Sequence, residues 1–184
     1  MSAPDAIAKM DPFYENSDLV NIVIDTPKGT FFKLKFVEDS GIFRVHKALP
    51  LGIAFPFNFG FIPSTSGGDG DPLDVVLLTD YIFPVGAVLL GRLLSVLRAE
   101  QSQNRKKERN DRLIALPVEV ESRRPMQPIV DFNSNLRTAI VAFFTKYNEL
   151  EGRKFRSLGY AGARVAIRTV KANMKELQAR PNAS

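Results

Sequence analysis

An α+β domain is the fold class that the sequence predicts: a small closed or nearly closed β-barrel with two C-terminal helices packed on it. Three observations lead there. Short runs rich in β-branched and aromatic residues, split by turn signals, fill the first two thirds of the chain. The last third switches to apolar residues at three- and four-residue spacing. No internal repeat and no Pro/Gly/Ser-rich linker divides the 184 residues. The chain 1–184 therefore reads as a single domain, with a core over about 20–178 and flexible ends.

Val20 to Asp25 and Phe31 to Val37 are the first strands, divided by the turn Thr26-Pro27-Lys28-Gly29. In the second run Phe32, Leu34 and Phe36 alternate with Lys33 and Lys35, which puts both lysines on one face. Asp39-Ser40-Gly41 turns the chain into a return strand over Ile42 to Val45. Phe55, Phe57, Phe59 and Phe61 recur with period two and mark an extended segment, whose plain reading is a core or sheet face. Further strands are expected at Asp74 to Leu78, Ala87 to Leu97 and Arg112 to Val120. Asn133 or Ser134 caps a helix carrying Leu136, Ile140, Phe143, Phe144, Tyr147 and Leu150 on one side, and Gly152 ends it. A second helix runs from about Ala163 to Gln178, with Ala166, Ile167, Val170, Met174 and Leu177 turned inward.

Apolar residues make up 45% and charged residues 24%, which argues against wholesale disorder. The absence of cysteine excludes a disulfide framework, a thiolate nucleophile and Cys-ligated zinc. A single histidine, His46, excludes any site that needs two imidazoles. Met1 to Pro12 has no basic region followed by an apolar run, so no signal peptide is expected. Ala48 to Gly68 is uncharged, but Pro50, Gly52, Pro56, Gly60 and Pro63 bar a membrane-spanning helix there. The expected setting is cytoplasmic. A net charge of +5 admits nucleic acid or anionic metabolites without choosing between them.

Two segments break the structural pattern. In Gly67-Gly68-Asp69-Gly70-Asp71-Pro72-Leu73-Asp74, three carboxylates fall within six residues. They repel one another unless a cation lies among them, and a hard divalent ion suits their oxygens. Pro72 stiffens the loop, the glycines let it turn sharply, and Asp74 enters an apolar strand that can hold it rigidly. The spacing is not that of an EF-hand. Gln103 to Arg112 is a basic run, read first as an exposed hairpin tip and second as a grip for a phosphate-rich ligand.

Asp69-Gly70-Asp71-Pro72-Leu73-Asp74-Val75 resembles, without a mismatch, the signature of the soluble (family I) inorganic pyrophosphatases. The similarity extends to Phe55 through Pro63, to Asp25-Thr26-Pro27, to Leu113 through Pro117 and to Phe143 through Glu151, in order and at compatible spacing. The resemblance implies an OB-like barrel and metal-dependent hydrolysis of pyrophosphate, or another phosphoanhydride, with magnesium or manganese. It further implies metal ligation by Asp69, Asp71 and Asp74, with Asp71 accepting the proton of the attacking water. Lys33, Lys47, Arg112 and Tyr147 fall where the family holds phosphate, and Asp25 where it usually has glutamate. A homo-oligomer follows by analogy.

The chain also departs from the pattern. Lys35 stands where the family has a carboxylate, Lys47 replaces an arginine, Phe59 lacks a tyrosine's hydroxyl, and Asn148 replaces a lysine. Gln101 and Asn110 stand where two metal-binding aspartates are expected. Glu100 and Asp111 are one residue away from those positions, and strand alternation sends them to the opposite face unless a bulge intervenes. Three readings follow: a metal-dependent pyrophosphatase, a weakened relative that binds a phosphorylated ligand or a protein, and a nucleic-acid-binding barrel, against which the acidic triplet argues. Taken singly, Lys33, Lys35 and Tyr147 also suit a wet strand face or a packed helix stripe.

Overall fold

The computed structural model describes residues 3–104, 106–126 and 131–175. A short helix α1 (Ala3–Ala8) precedes β1 (Leu19–Thr26), β2 (Phe32–Val37), β3 (Ile42–Ala48), β4 (Asn58–Ile62), β5 (Leu73–Leu77), β6 (Val88–Gln103), β7 (Lys106–Arg109) and β8 (Arg112–Val118). Helix α2 (Ser134–Leu150), strand β9 (Lys154–Gly162) and helix α3 (Ala163–Ala172) follow. The main sheet runs β1-β4-β5-β8-β6-β7, and β1 also pairs with β6, so that β1, β4, β5, β8 and β6 close into a ring. The expected barrel is present as this ring-closed sheet. A separate two-stranded sheet is made by β2 and β3.

The ring is filled by alternate residues of its strands. Val20, Ile22, Ile24, Ile62, Val75, Leu77 and Leu113 form one buried cluster, closed by Ala166 and Val170 of α3. Four of these strands carry near-continuous apolar runs because they are covered on both faces. The outer cover comes from α2, whose Ile140, Phe144 and Tyr147 pack with Phe55, Phe59, Val76 and Ile114. At the other end of β4, Phe61 leaves that cluster and stacks on Phe36 of β2 at 5.6 Å. The phenylalanine ladder is thus core-facing, but its rings are shared between α2 and the β2–β3 hairpin.

Asn133 caps α2 by accepting a hydrogen bond from Leu136 N at 3.0 Å, and Gly152 beyond its end adopts φ +70°. Two features depart from the sequence reading. Strand β9 was not expected; it pairs with the far half of β6, which is long enough to bind β8, β7 and β9 along its length. Lys154 to Gly162 lacks clean alternation because both its faces are half covered. Helix α3 ends at Ala172, with Met174 in a bridge to Thr65, and Leu177 and Gln178 lie outside the described residues.

Strands β1 and β4 approach most closely at Gly60, where a Cβ would lie 2.2 Å from Val23 O and 3.2 Å from Ile24 Cα. Backbone atoms in a closed ring have no room to retreat. Gly60→Ala is predicted to lower unfolding free energy by roughly 2–4 kcal/mol, read as a lower urea midpoint; an unchanged midpoint would show that the ring is not closed this tightly.

Candidate functional site

The acidic loop is fixed at both ends before it can act. Thr65 Oγ1 donates to Ile62 O at 2.6 Å and accepts from Leu73 N at 2.9 Å, while Gly67 N donates to Asp71 O at 2.7 Å. This clamp presents Asp69 and Asp71 on the surface turn and places Asp74 in β5, opposite Phe61 of β4. Asp71 N donates to Asp69 Oδ1 at 3.2 Å. The Asp69 carboxyl is pushed up by partial burial, with the charges of Asp74 and Asp71 adding to the effect.

The three carboxylates do not form a closed cage. Asp69 and Asp74 line one small cavity of about 80 Å³, together with Arg109, Asn110 and Asp111. Asp71 turns to Lys35, whose Nζ lies 2.6 Å from Oδ1, and Asp74 pairs with Arg112 at 3.0 Å. Among the described residues, no three acidic or histidine side chains converge as a ready-made metal cage.

Facing the loop is a basic half. Lys33 Nζ lies 5.6 Å above the Phe59 ring, so Phe59 offers a π-face where a hydroxyl was expected by resemblance. Lys47 lies 5.0 Å above the Tyr147 ring and is bridged through Glu151 to Arg153. Burial lowers the Lys47 ammonium, with Glu151 opposing and Arg153 reinforcing that shift. His46 is also lowered, by burial and then by Lys33, Lys47 and Lys35, which reports the positive potential of this half. The sequence did not single out Arg153 or give Glu151 a role; their signal was only a charged pair flanking the helix-ending glycine.

Among the described residues, four buried side-chain atoms have no hydrogen-bond partner: Asp25 Oδ1, Arg112 Nε, Tyr147 OH and Asn148 Oδ1. Orphaned buried polar atoms are rare and costly, and most of these belong to residues that the sequence reading had placed at the site. Burial pushes the Tyr147 phenol up, with Glu151 adding to the effect. Asn148 is fully buried and donates to Phe144 O at 2.8 Å, so it belongs to the helix packing rather than to the open cleft.

In the second loop, between β6 and β8, the two positions expected to carry aspartate hold neutral amides. Asn110 Nδ2 donates to Gln101 Oε1 at 2.9 Å, and Asn110 Oδ1 accepts from Arg112. Asp111 does not follow the strand alternation that would send it to the face opposite Asn110. Strand pairing lapses at residues 110–111, so Asn110 and Asp111 border the same cavity. The Asp111 carboxylate is nonetheless engaged, accepting from Ala99 N at 3.0 Å and from Arg109 Nε at 2.6 Å. Among the described residues, Glu100 pairs with Arg156 at 3.9 Å. The basic run forms the β6–β7 hairpin, as expected of an exposed tip.

Asp25 has its carboxyl raised to about 7 by burial; Asp74 adds to this, while Lys33 opposes it. The folded state therefore holds a proton that the unfolded chain has released, and Asp25 contributes progressively less stability as pH rises from about 4 to about 7. Asp25→Asn is predicted to flatten the stability profile in that window relative to the parent, measured by urea unfolding at each pH; parallel profiles would contradict it.

The family model described as inorganic pyrophosphatase matches residues 22–178. The inorganic pyrophosphatase of Saccharolobus solfataricus is 33% identical over 151 residues, covering 80% of this chain and 84% of that protein. That of Helicobacter pylori is 30% identical over 166 residues, covering 89% and 94%. The crystal structure of the Thermus thermophilus enzyme superimposes with a TM-score of 0.77 at 25% identity, covering 91% and 95%. The family match over residues 22–178, two relatives at 30% identity or more and a shared fold over most of the length lead to one assignment: the chain belongs to the inorganic pyrophosphatase family.

Proposed function

We propose that this protein hydrolyses inorganic pyrophosphate to two phosphates with the help of divalent metal, magnesium or manganese. The observation that carries the reading is the meeting of two charged halves: Arg112 pairs with Asp74 and Lys35 with Asp71, Lys33 and Arg112 share the Phe59 ring, and Lys47 lies over Tyr147. A doubly anionic phosphoryl group satisfies the basic half, and cations satisfy the acidic half.

The fit to metal is partial. Asp69 and Asp74 beside a small cavity suit a hard cation, and repulsion among Asp69, Asp74 and Asp71 would be relieved by one. The second loop offers amides already engaged with each other and with Arg112, which is no place for a further ion. When bound, divalent metal neutralises the anhydride and lowers the pKa of a water molecule.

The residues of the chain do the rest. Arg112 presents its guanidinium from a fixed, buried position, and Lys33 and Lys47 supply mobile positive charge to the terminal oxygens. Tyr147 donates its hydroxyl proton to a phosphoryl oxygen. Lys35 contacts Asp71 Oδ1, and Oδ2 has no donor among the described residues. Oδ2 accepts the proton of the attacking water as the new P–O bond forms. The anhydride P–O bond breaks, and its electrons leave with the second phosphate.

The same reading treats 1–184 as one domain acting in the cytoplasm as a homo-oligomer. Its support is the family, together with exposed Phe31, Phe32, Val45 and Leu51 beside the β2–β3 hairpin. Among the described residues, no helix is long and apolar enough to cross a membrane.

Phosphate release from pyrophosphate with magnesium or manganese tests the proposal. Asp71→Asn is predicted to reduce kcat by about 100-fold or more with little change in KM. No turnover by the parent protein at any metal concentration would overturn the reading.

A further inference from the structure

Two of the three loop carboxylates already have a counterion supplied by the protein. Arg112 Nη1 lies 3.0 Å from Asp74, with only 4% of the Arg112 side chain exposed, so this charge is permanent and cannot swing away. Lys35 Nζ lies 2.6 Å from Asp71 with 48% of its side chain exposed, so its charge stands at the mouth. Lys35 reaches Asp71 from β2, outside the closed ring, and bridges the separate hairpin to the acidic loop.

The surroundings oppose further cations at this edge. Lys33 and Lys47 are paired in register on β2 and β3, and their charges with that of Lys35 act together on His46. The facing wall is the Gln101–Asn110 amide pair, with Asn110 Oδ1 turned to Arg112. Asp111 is occupied by Ala99 N and Arg109. Among the acidic groups that border the cavity, Asp69 alone has no protein cation in contact, among the described residues. An exposed Lys–Asp contact is weak in isolation. Here it sits in a field of like-signed neighbours that disfavours a divalent competitor more strongly than the single pair does.

We propose that Lys35 takes the place of a divalent ion at Asp71, so that the site binds fewer ions than its three carboxylates could hold. The positive charge that neutralises the phosphoryl ligand is then shared between a tethered ammonium and the remaining metal. A tethered charge is present at any metal concentration, so turnover depends less steeply on metal than it would with every cation drawn from solution. The inference rests on the phosphoanhydride reading for its catalytic meaning, but the ion count is set by contacts that exist without substrate.

Manganese titration of the full chain without substrate, with free Mn²⁺ followed by electron paramagnetic resonance, tests it. Lys35→Gln is predicted to tighten binding at the acidic loop by about tenfold, and Lys35→Glu to take up an additional ion per chain. Lys28→Gln, which removes a lysine paired with Asp80 elsewhere, is predicted to leave the isotherm unchanged. Unfolding midpoints establish that each variant is folded. Superimposable isotherms for the parent, Lys35→Gln and Lys35→Glu would overturn the inference. Failure to release phosphate from pyrophosphate would overturn the hydrolytic reading and leave this comparison standing.

Discussion

The Arg112–Asp74 ion pair is the constraint on which the site depends. Its guanidinium is 3% exposed as a residue and lies 5.9 Å from the Phe59 ring and 5.3 Å from the Phe144 ring. Such a charge is tolerable inside a protein only with a partner and with most of its donors satisfied. Asp74 supplies the partner from β5, the strand that runs parallel to β8, and Asn110 supplies acceptors from the preceding loop. The aromatic walls come from β4 and α2. One buried cation thereby ties the closed ring, the covering helix and both loops of the cleft into a single arrangement.

The rest of the cleft follows from charge. Carboxylates enter from the loop before β5, cations enter from β2, β3 and β8, and each half partly satisfies the other in the free protein. Glu151 performs this service for Lys47 and Arg153 beyond the end of α2. On the proposed function, a phosphoryl ligand would compete with such internal carboxylates for the same cations, and metal with the cations for the same carboxylates. The free site is therefore held together by its own ion pairs, which keep its like charges from forcing the loops apart.

Much of this was legible in the sequence because it rests on short-range pattern. The turn-divided apolar runs located most ring strands, the cap at Asn133 located α2, and the Asp69-to-Val75 motif located the acidic loop at a strand entrance. Long-range pairing was not legible. Strand β9 exists because β6 is long enough to bind a further neighbour, and nothing local in Lys154 to Gly162 announces that. Strand alternation misplaced Asp111 because the β7–β8 junction breaks regular pairing at residues 110–111. The pairing of Lys35 with Asp71 needed the β2–β3 hairpin to fold over the loop, across 36 residues of sequence. The replacement of expected aspartates by Gln101 and Asn110 was visible in the sequence, but their mutual hydrogen bond was not.

The account's central claim is that a buried cation of the protein, Arg112, holds Asp74 and thereby the cleft. A double-mutant cycle on unfolding free energy, using Arg112→Met, Asp74→Asn and the pair, measures that directly. The predicted result is a coupling energy of about 2 kcal/mol or more, because removing either partner strands the other and removing the second then costs little. Additive losses, with coupling near zero, would contradict it.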